Sequence, residues 1–280
     1  MSVKIVNKLR LGQKMTASIL AMNVISMAAV LVIVFLRTSA MQTDSAMENV
    51  RNLAGLYSKD IQAQIEVPMD AARTMAQIME GFEGIQPGER REYYSDLLRN
   101  VLAANPELLG VWTCWEANEL DGLDAKYAGT VESDTTGRFI PYWNRGSGSI
   151  KLEPLVDYEK TGAGDYYQIP LKSGKESILD PYVYAINGKD ILMSTVAVPI
   201  KRGGTVIGVV GIDIDLTILQ ALIEKVKPYA DGYAFLVSND GTFVAHPKKE
   251  LMGKSIADSG APEATDRKST RLNSSHGKLS

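Results

Sequence analysis

A single carboxylate near the end of an apolar strand is the side chain of this sequence best set to do chemistry. In VIGVVGIDIDL, residues 206–216, strand alternation puts Ile207, Val209, Gly211, Asp213 and Asp215 on one face and Val206, Gly208, Val210, Ile212 and Ile214 on the other. A carboxylate at Asp213, beside glycines that open space, suits a ligand ammonium through a charge-assisted hydrogen bond. The plainer reading of Asp213 is a solvated or capping carboxylate, and for Asp215, closer to the strand end, that reading is preferred. Aromatic residues crowd the preceding stretch. Trp112, Trp115 and Trp143 are all the tryptophans of the chain, and Tyr142, Tyr158, Tyr166, Tyr167, Tyr182 and Tyr184 follow closely. Rings supply apolar area and a negative face for a cation, so Tyr142, Trp143, Tyr166, Tyr167, Tyr182, Tyr184 and Asp213 form the expected ligand-binding set, against the alternative that each ring is ordinary core. Asp157, Glu159 and Asp165 read as water-facing, and His246 as structural.

Other chemistries find little support. The single Cys114 allows neither an internal disulfide nor a thiolate cluster, and His246 and His276 stand far apart. There is no Gly-x-Ser-x-Gly elbow, no His-Glu-x-x-His and no Ser/His/Asp set, so neither catalysis nor a cofactor is expected. The net charge is −3; Lys4, Lys8, Arg10 and Lys14 place +4 on the first fourteen residues, and the body of the chain is correspondingly acidic. That balance argues against nucleic acid as a partner.

The elements that must position these side chains are marked by punctuation and period. Strands are expected at 108–116, 181–186, 190–200 and 205–216, with Asn187-Gly188 as a hairpin turn. A helix at 89–104, a second at 216–226 and a further hairpin at 232–246 complete an α+β pattern with antiparallel sheets. The stretch 121–164, rich in Gly, Asp, Ser, Thr and aromatics, reads as a long structured excursion. Upstream, apolar residues at spacings of three and four mark a long amphipathic stalk helix over 39–80, which Pro68 should kink or split.

Residues 15–36, MTASILAMNVISMAAVLVIVFL, hold no charge and as a helix are long enough to span a bilayer core of about 30 Å. The basic residues before this run place residues 1–14 in the cytoplasm and everything after it outside. Signal-peptide cores run about 7–15 residues, so this longer run is expected to remain as an anchor in the inner (plasma) membrane. Its uncharged polar residues Thr16, Ser18, Asn23 and Ser26 suit contact with a second copy, hence a homodimer. The final residues, DRKSTRLNSSHGKLS, break all patterning and resemble translated adapter sequence, so 266–280 are expected to lie outside the fold.

With the order membrane helix, stalk helix, then GRFIPYWNRGSGSI, LEPLVDYE, GDYYQIP, DPYVYAINGKDILMSTVAVPI, GGTVIGVVGIDIDL and GYAFLVSNDGTFVAHP, the chain resembles the periplasmic double Cache domain of methyl-accepting chemotaxis proteins. The resemblance implies two stacked PAS-like modules, a membrane-distal one at 81–220 that holds the ligand and a membrane-proximal one that begins at 221–265 and is incomplete. It also implies a missing remainder with a second membrane helix, a HAMP linker and a cytoplasmic signalling rod. In amino-acid-sensing members an Asp matching Asp213 and a Tyr matching Tyr182 take the ligand ammonium. An Arg two residues before a Trp-Tyr pair takes the carboxylate. That pair falls on Tyr166-Tyr167 here and the arginine position on Gly164, so the arginine is lost, unless Arg138 or Arg145 reaches in from the loop. The expected ligand is therefore a small amine or amino-acid-like molecule. The expected function is a chemotaxis receptor's sensor that passes a helix displacement across the membrane to cytoplasmic partners. The alternatives are the same sensor on a histidine kinase or cyclic-dinucleotide enzyme, or a tethered substrate-binding protein.

Overall fold

The computed structural model describes residues 10–230 and 232–260. The chain divides into two compact units between Leu56 and Tyr57. In the first unit the polypeptide is a single helix, part of α1 (Leu11–Glu80), whose side chains Ile19, Leu20, Val30, Leu31, Ile33 and Phe35 are all exposed. By length and composition this helix can cross a membrane. One helix runs through both the segment expected to span the membrane, 15–36, and the expected stalk, 39–80. Pro68 does not end it. Pro68 lacks the amide that would bond one turn back, yet with Met69 and Ala72 it is buried, and that packing keeps the segment helical.

The second unit holds the remaining elements. After two short 3-10 turns come α2 (Arg90–Ala104), β1 (Leu108–Trp115), α3 (Asp124–Tyr127), β2 (Pro141–Asn144), β3 (Lys151–Pro154), α4 (Asp165–Ser173) and β4 (Ser177–Ile178). Then follow β5 (Tyr182–Ile186), β6 (Lys189–Arg202), β7 (Thr205–Asp215), α5 (Leu216–Glu224), β8 (Leu236–Val237) and β9 (Phe243–Ala245). Seven strands form one antiparallel sheet in the order β3-β2-β1-β7-β6-β4, with β5 also pairing β6. The β5–β6 hairpin turns on Asn187 and Gly188, both at positive φ (49° and 74°), the geometry that makes Asn-Gly so strong a turn signal. β8 and β9 make a separate two-stranded sheet, and the module boundary expected at 220 falls inside α5. The tail expected at 266–280, like residues 1–9, lies outside the described residues.

The large sheet has two unlike faces. One packs Val111, Trp115, Val210, Ile212 and Ile214 against Met75 and Met79 of α1 and Tyr94 and Leu98 of α2, a conventional apolar core. The other collects Trp112, Tyr142, Tyr166, Tyr167 and Tyr184 with Val209. Alternation along β7 therefore holds from Val209 to Ile214. Ile207 departs from it, joining the helix-side core although its parity assigns it to the aromatic side. The cause is a bulge: Ile200 pairs Gly208 and Lys201 pairs Val206, which leaves Ile207 as the extra residue and reverses the phase below it.

The excursion after β1 is ordered by one buried cation. Arg91 of α2 ion-pairs Asp121 at 2.7 Å and Asp124 at 2.6 Å and donates to the Gly137 carbonyl at 2.8 Å, so the loop is tied to the helix at three points. Among the apolar contacts, Leu98 is fully buried between α2 and the sheet. Leu98→Ala should cost about 2–5 kcal/mol, read as a lowered chemical-denaturation midpoint of the detergent-solubilised chain; an unchanged midpoint would show that this face is not the core that holds the sheet.

Candidate ligand site

Three neighbouring strands set the site. Asp213 of β7 lies opposite Gly110 of β1 on one side and Thr195 of β6 on the other. Trp112 of β1 lies opposite Gly211 on one side and Tyr142 of β2 on the other. Two glycines make this arrangement possible. A Cβ on Gly211 would stand 2.2 Å from the Trp112 ring, and one on Gly110 would stand 2.4 Å from the Tyr142 ring. Without side chains at these two positions, both rings lie flat across the sheet toward Asp213.

Asp213 is buried, with 2% of its surface exposed. Its Oδ1 accepts from Trp112 Nε1 at 3.1 Å and from the Thr195 hydroxyl at 2.6 Å, and Thr195 in turn shares a 2.7 Å hydrogen bond with the Tyr182 hydroxyl. Among the described residues no cation pairs with this carboxylate and no donor bonds its Oδ2. Burial raises its pKa to about 6; the bonded donors Thr195 and Trp112, together with the nearby Tyr142 hydroxyl, which makes no hydrogen bond of normal geometry, pull against that rise. The same burial, reinforced by Asp213, pushes the Tyr142 and Tyr182 hydroxyls well above their ordinary range.

Rings close over the carboxylate. Tyr166 stacks on Tyr182 at 6.3 Å between centroids and meets Trp112 edge-on at 5.2 Å, while Tyr184 meets Tyr142 and Tyr166 edge-on, each at 5.7 Å. Tyr166 donates to the Val156 carbonyl at 2.7 Å and Tyr184 accepts from the Val156 amide at 2.9 Å. One residue of the loop after β3 is thus held from both sides by walls of the site.

Six of the seven expected site residues lie on this face: Asp213 itself, the four tyrosines Tyr142, Tyr166, Tyr182 and Tyr184 around it, and Tyr167. Tyr167 belongs to the same aromatic layer but serves a different group: its hydroxyl donates to Glu116 and receives a 2.8 Å hydrogen bond from Arg138. The remaining residue, Trp143, is a correction. It follows Tyr142 in a strand, so it projects to the opposite face, where its Nε1 donates to Ser95 of α2 at 3.1 Å and Arg99 sits over its ring. Three residues beside Asp213 lie outside the expected set: Trp112, which belongs to the aromatic crowding, and Thr195 and Gly110, which enter through strand pairing that has no signal in their own sequence neighbourhoods.

Neither loop arginine supplies the lost guanidinium. Arg138 is committed to the Trp115 carbonyl, Glu116, Glu159 and Tyr167, and Arg145 donates to the Leu102 carbonyl at the end of α2. Asp157 and Glu159 ion-pair Lys160 and Arg138 and do not line the site. Asp215 caps α5, accepting from the Thr217 amide at 2.8 Å, and among the described residues no group of acidic, histidine or cysteine side chains could hold a metal ion.

With that geometry in place, a family model described as the Cache domain matches residues 38–277. The methyl-accepting chemotaxis protein TlpQ of Pseudomonas aeruginosa is 34% identical over 183 residues, covering 60% of this chain and 26% of TlpQ. The chain thus spans about a quarter of that relative's length. Of solved structures, the extracellular domain assigned to a histidine kinase, mmHK1S-Z2, is 34% identical with a TM-score of 0.70, covering 79% of this chain and 81% of that one. Methyl-accepting chemotaxis protein X is 29% identical with a TM-score of 0.63, covering 78% and 79%.

The backbone also closes off the position of the missing arginine. A Cβ on Gly164 would stand 2.4 Å from the Asp157 carbonyl oxygen and 2.6 Å from that of Tyr158. Gly164→Arg should therefore lower the thermal unfolding midpoint and confer no binding of free amino acids. A stable variant that gains amino-acid affinity by calorimetry would show that the 157–164 turn yields readily.

Proposed function

Since the chain belongs to the Cache domain family, we propose that it is the extracytoplasmic sensor of a transmembrane chemotaxis receptor and takes a small amine-bearing molecule between Asp213 and the tyrosines around it. The observation that carries this reading is a buried carboxylate with no cationic partner among the described residues and one oxygen without a bonded donor. Burying such a charge is costly unless it is paired, and an arriving ammonium supplies the partner. Trp112, Tyr166 and Tyr182 present ring faces and edges beside it, and each well-placed ring face contributes about 0.5–2 kcal/mol to holding a cation. The blocked position at Gly164 and the commitment of Arg138 and Arg145 leave no guanidinium for a ligand carboxylate, which favours an amine over an α-amino acid.

Transmission follows from the same placement. β7 runs from Asp213 through the cap at Asp215 directly into α5, whose Leu216 and Leu219 pack with Ile61 of α1. A ligand that draws β7 and α4 together moves α5 and through it α1, the helix that continues to the membrane-length segment in a homodimeric receptor. The same sensor could serve a histidine kinase, a reading favoured by the 34% identity to mmHK1S-Z2; coding sequence beyond residue 280 separates the two, a long heptad rod for a chemoreceptor and a kinase core for the other.

Two measurements test the ligand class. In a thermal-shift screen of the solubilised full chain, small primary amines should raise the unfolding midpoint, and Asp213→Asn should reduce their affinity about 10- to 100-fold, the loss of a hydrogen bond to a charged group. Organic acids that shift the midpoint while all amines fail would overturn the assignment. The pH dependence has a fixed sign. A cation needs Asp213 ionised, and its pKa near 6 lies above the ordinary value because of burial. Affinity should stay level above neutral pH and weaken by about tenfold per unit once pH falls below that pKa. An unchanged affinity down to acid pH would show that Asp213 is not the counter-charge.

A further inference from the structure

The hydroxyl of Tyr142 lies near the Asp213 carboxylate and helps hold its pKa down, but it makes no hydrogen bond of normal geometry in the fold as it stands. The residue is fully buried, and its Oη is one of three buried side-chain polar atoms without a hydrogen-bond partner among the described residues. An unsatisfied buried hydroxyl costs on the order of 1–3 kcal/mol, and phenylalanine would fill the same space without that cost. The ring is not there by default either. It lies across β1 only because residue 110 is glycine, with Oη 2.8 Å from where a Cβ on Gly110 would stand. Gly110 is the strand partner of Asp213, so the hydroxyl is delivered over the backbone toward the carboxylate. The edge-on contact with Tyr184 at 5.7 Å holds the ring in that orientation.

We infer that Tyr142 Oη and Asp213 Oδ2 form a two-acceptor cradle that reads the number of N–H donors on the ligand, selecting a primary ammonium over a quaternary one. The inference rests on the proposed role of Asp213 and adds a specificity-determining residue to it. Trp112 and Thr195 already occupy Asp213 Oδ1, which leaves Oδ2 for the ligand. A primary ammonium carries three N–H donors. One goes to Oδ2, a second satisfies Tyr142 Oη, and the ring walls take the remaining charge. A quaternary ammonium keeps the charge and the ring contacts but has no N–H, so it donates to neither oxygen. Discrimination by unpaired buried polar groups is much stronger than discrimination by apolar bulk.

The experiment is calorimetric titration of the full chain in detergent, near neutral pH, with n-butylammonium and n-butyltrimethylammonium as matched probes. Wild type should bind the primary amine at least tenfold more tightly. Tyr142→Phe should weaken the primary amine about tenfold or more while changing the quaternary probe less than about twofold, because only the first uses the hydroxyl. The ligand-free variant should unfold at the same or a higher temperature, since it loses an unpartnered group. If the wild type shows no preference, or if Tyr142→Phe keeps the preference intact, the cradle is wrong and the role of Asp213 stands. A lowered unfolding temperature with both probes weakened equally makes Tyr142 structural and also overturns the cradle. Binding of both probes untouched by Asp213→Asn, or no binding of either probe by the wild type, overturns the amine reading itself and the cradle with it.

Discussion

The burial of one carboxylate among aromatic rings governs the construction of this sheet. Asp213 has no counter-cation among the described residues, and the donors Trp112 and Thr195 only partly offset the loss of water, since its pKa remains raised. A folded chain keeps such a group at a cost, and the surrounding residues are arranged around that cost. The glycines at 110 and 211 remove the two side chains that would keep the rings of Tyr142 and Trp112 off the carboxylate. The pairing of β6 with β7 brings Thr195 beside it, and Tyr182 fixes the Thr195 hydroxyl. Interior charges can usually be exchanged for apolar residues without loss of stability, so a site built this elaborately around one is better explained by binding than by folding.

The opposite face of the same sheet carries the stability. Methionines and leucines of α1 and α2 cover it in ordinary close packing, and Trp143 belongs there with Ser95 and Arg99. This separation has a mechanical consequence. Side chains on the aromatic face can rearrange around a ligand without opening the helix-side core, because the sheet backbone stands between them. Arg91 and Arg138 extend the separation into the loops. Each ties part of the excursion between β1 and α4 to buried acceptors, so that excursion behaves as a shaped wall and not as a loose connection.

Much of this was legible in the sequence, and what was not has definite causes. Asp213 stood out because strand alternation is local, and Tyr182 and Tyr184 followed because Asn187-Gly188 fixes a hairpin unambiguously. Trp143 parts from the other aromatic residues because crowding is a property of composition, whereas four residues of strand are enough to send neighbouring side chains to opposite faces. Helix α4 went unseen: Pro170 lies within it and its tyrosines and isoleucine favour strands, yet the left-handed Gly174 at its end and burial of Tyr166 and Tyr167 hold it helical. Because α4 is a helix, Tyr166 and Tyr167 point about 100° apart, one toward Asp213 and the other toward Arg138. Thr195 and the reversed phase at Ile207 depend on register between strands, a non-local property with no imprint in either strand alone.

The position of Asp213 along its strand links recognition to signalling in the proposed receptor. Two residues separate it from the start of α5, and Asp215 between them is fixed as the cap of that helix. A shift at Asp213 is therefore transmitted by covalent backbone under a rigid cap, not through a chain of soft side-chain contacts. Leu216 and Leu219 then press on a small cluster with Ile61, Leu192 and Val244, where α1, the start of β6 and the second sheet meet. Few apolar residues make that cluster, compared with the large core on the helix side of the sheet, so it is where displacement costs least. The ligand can bias this junction only by the difference between its affinities for the two positions. A carboxylate without a counter-cation in the free chain and paired with one in the proposed bound state would make that difference large, which is why a costly buried carboxylate suits a sensor.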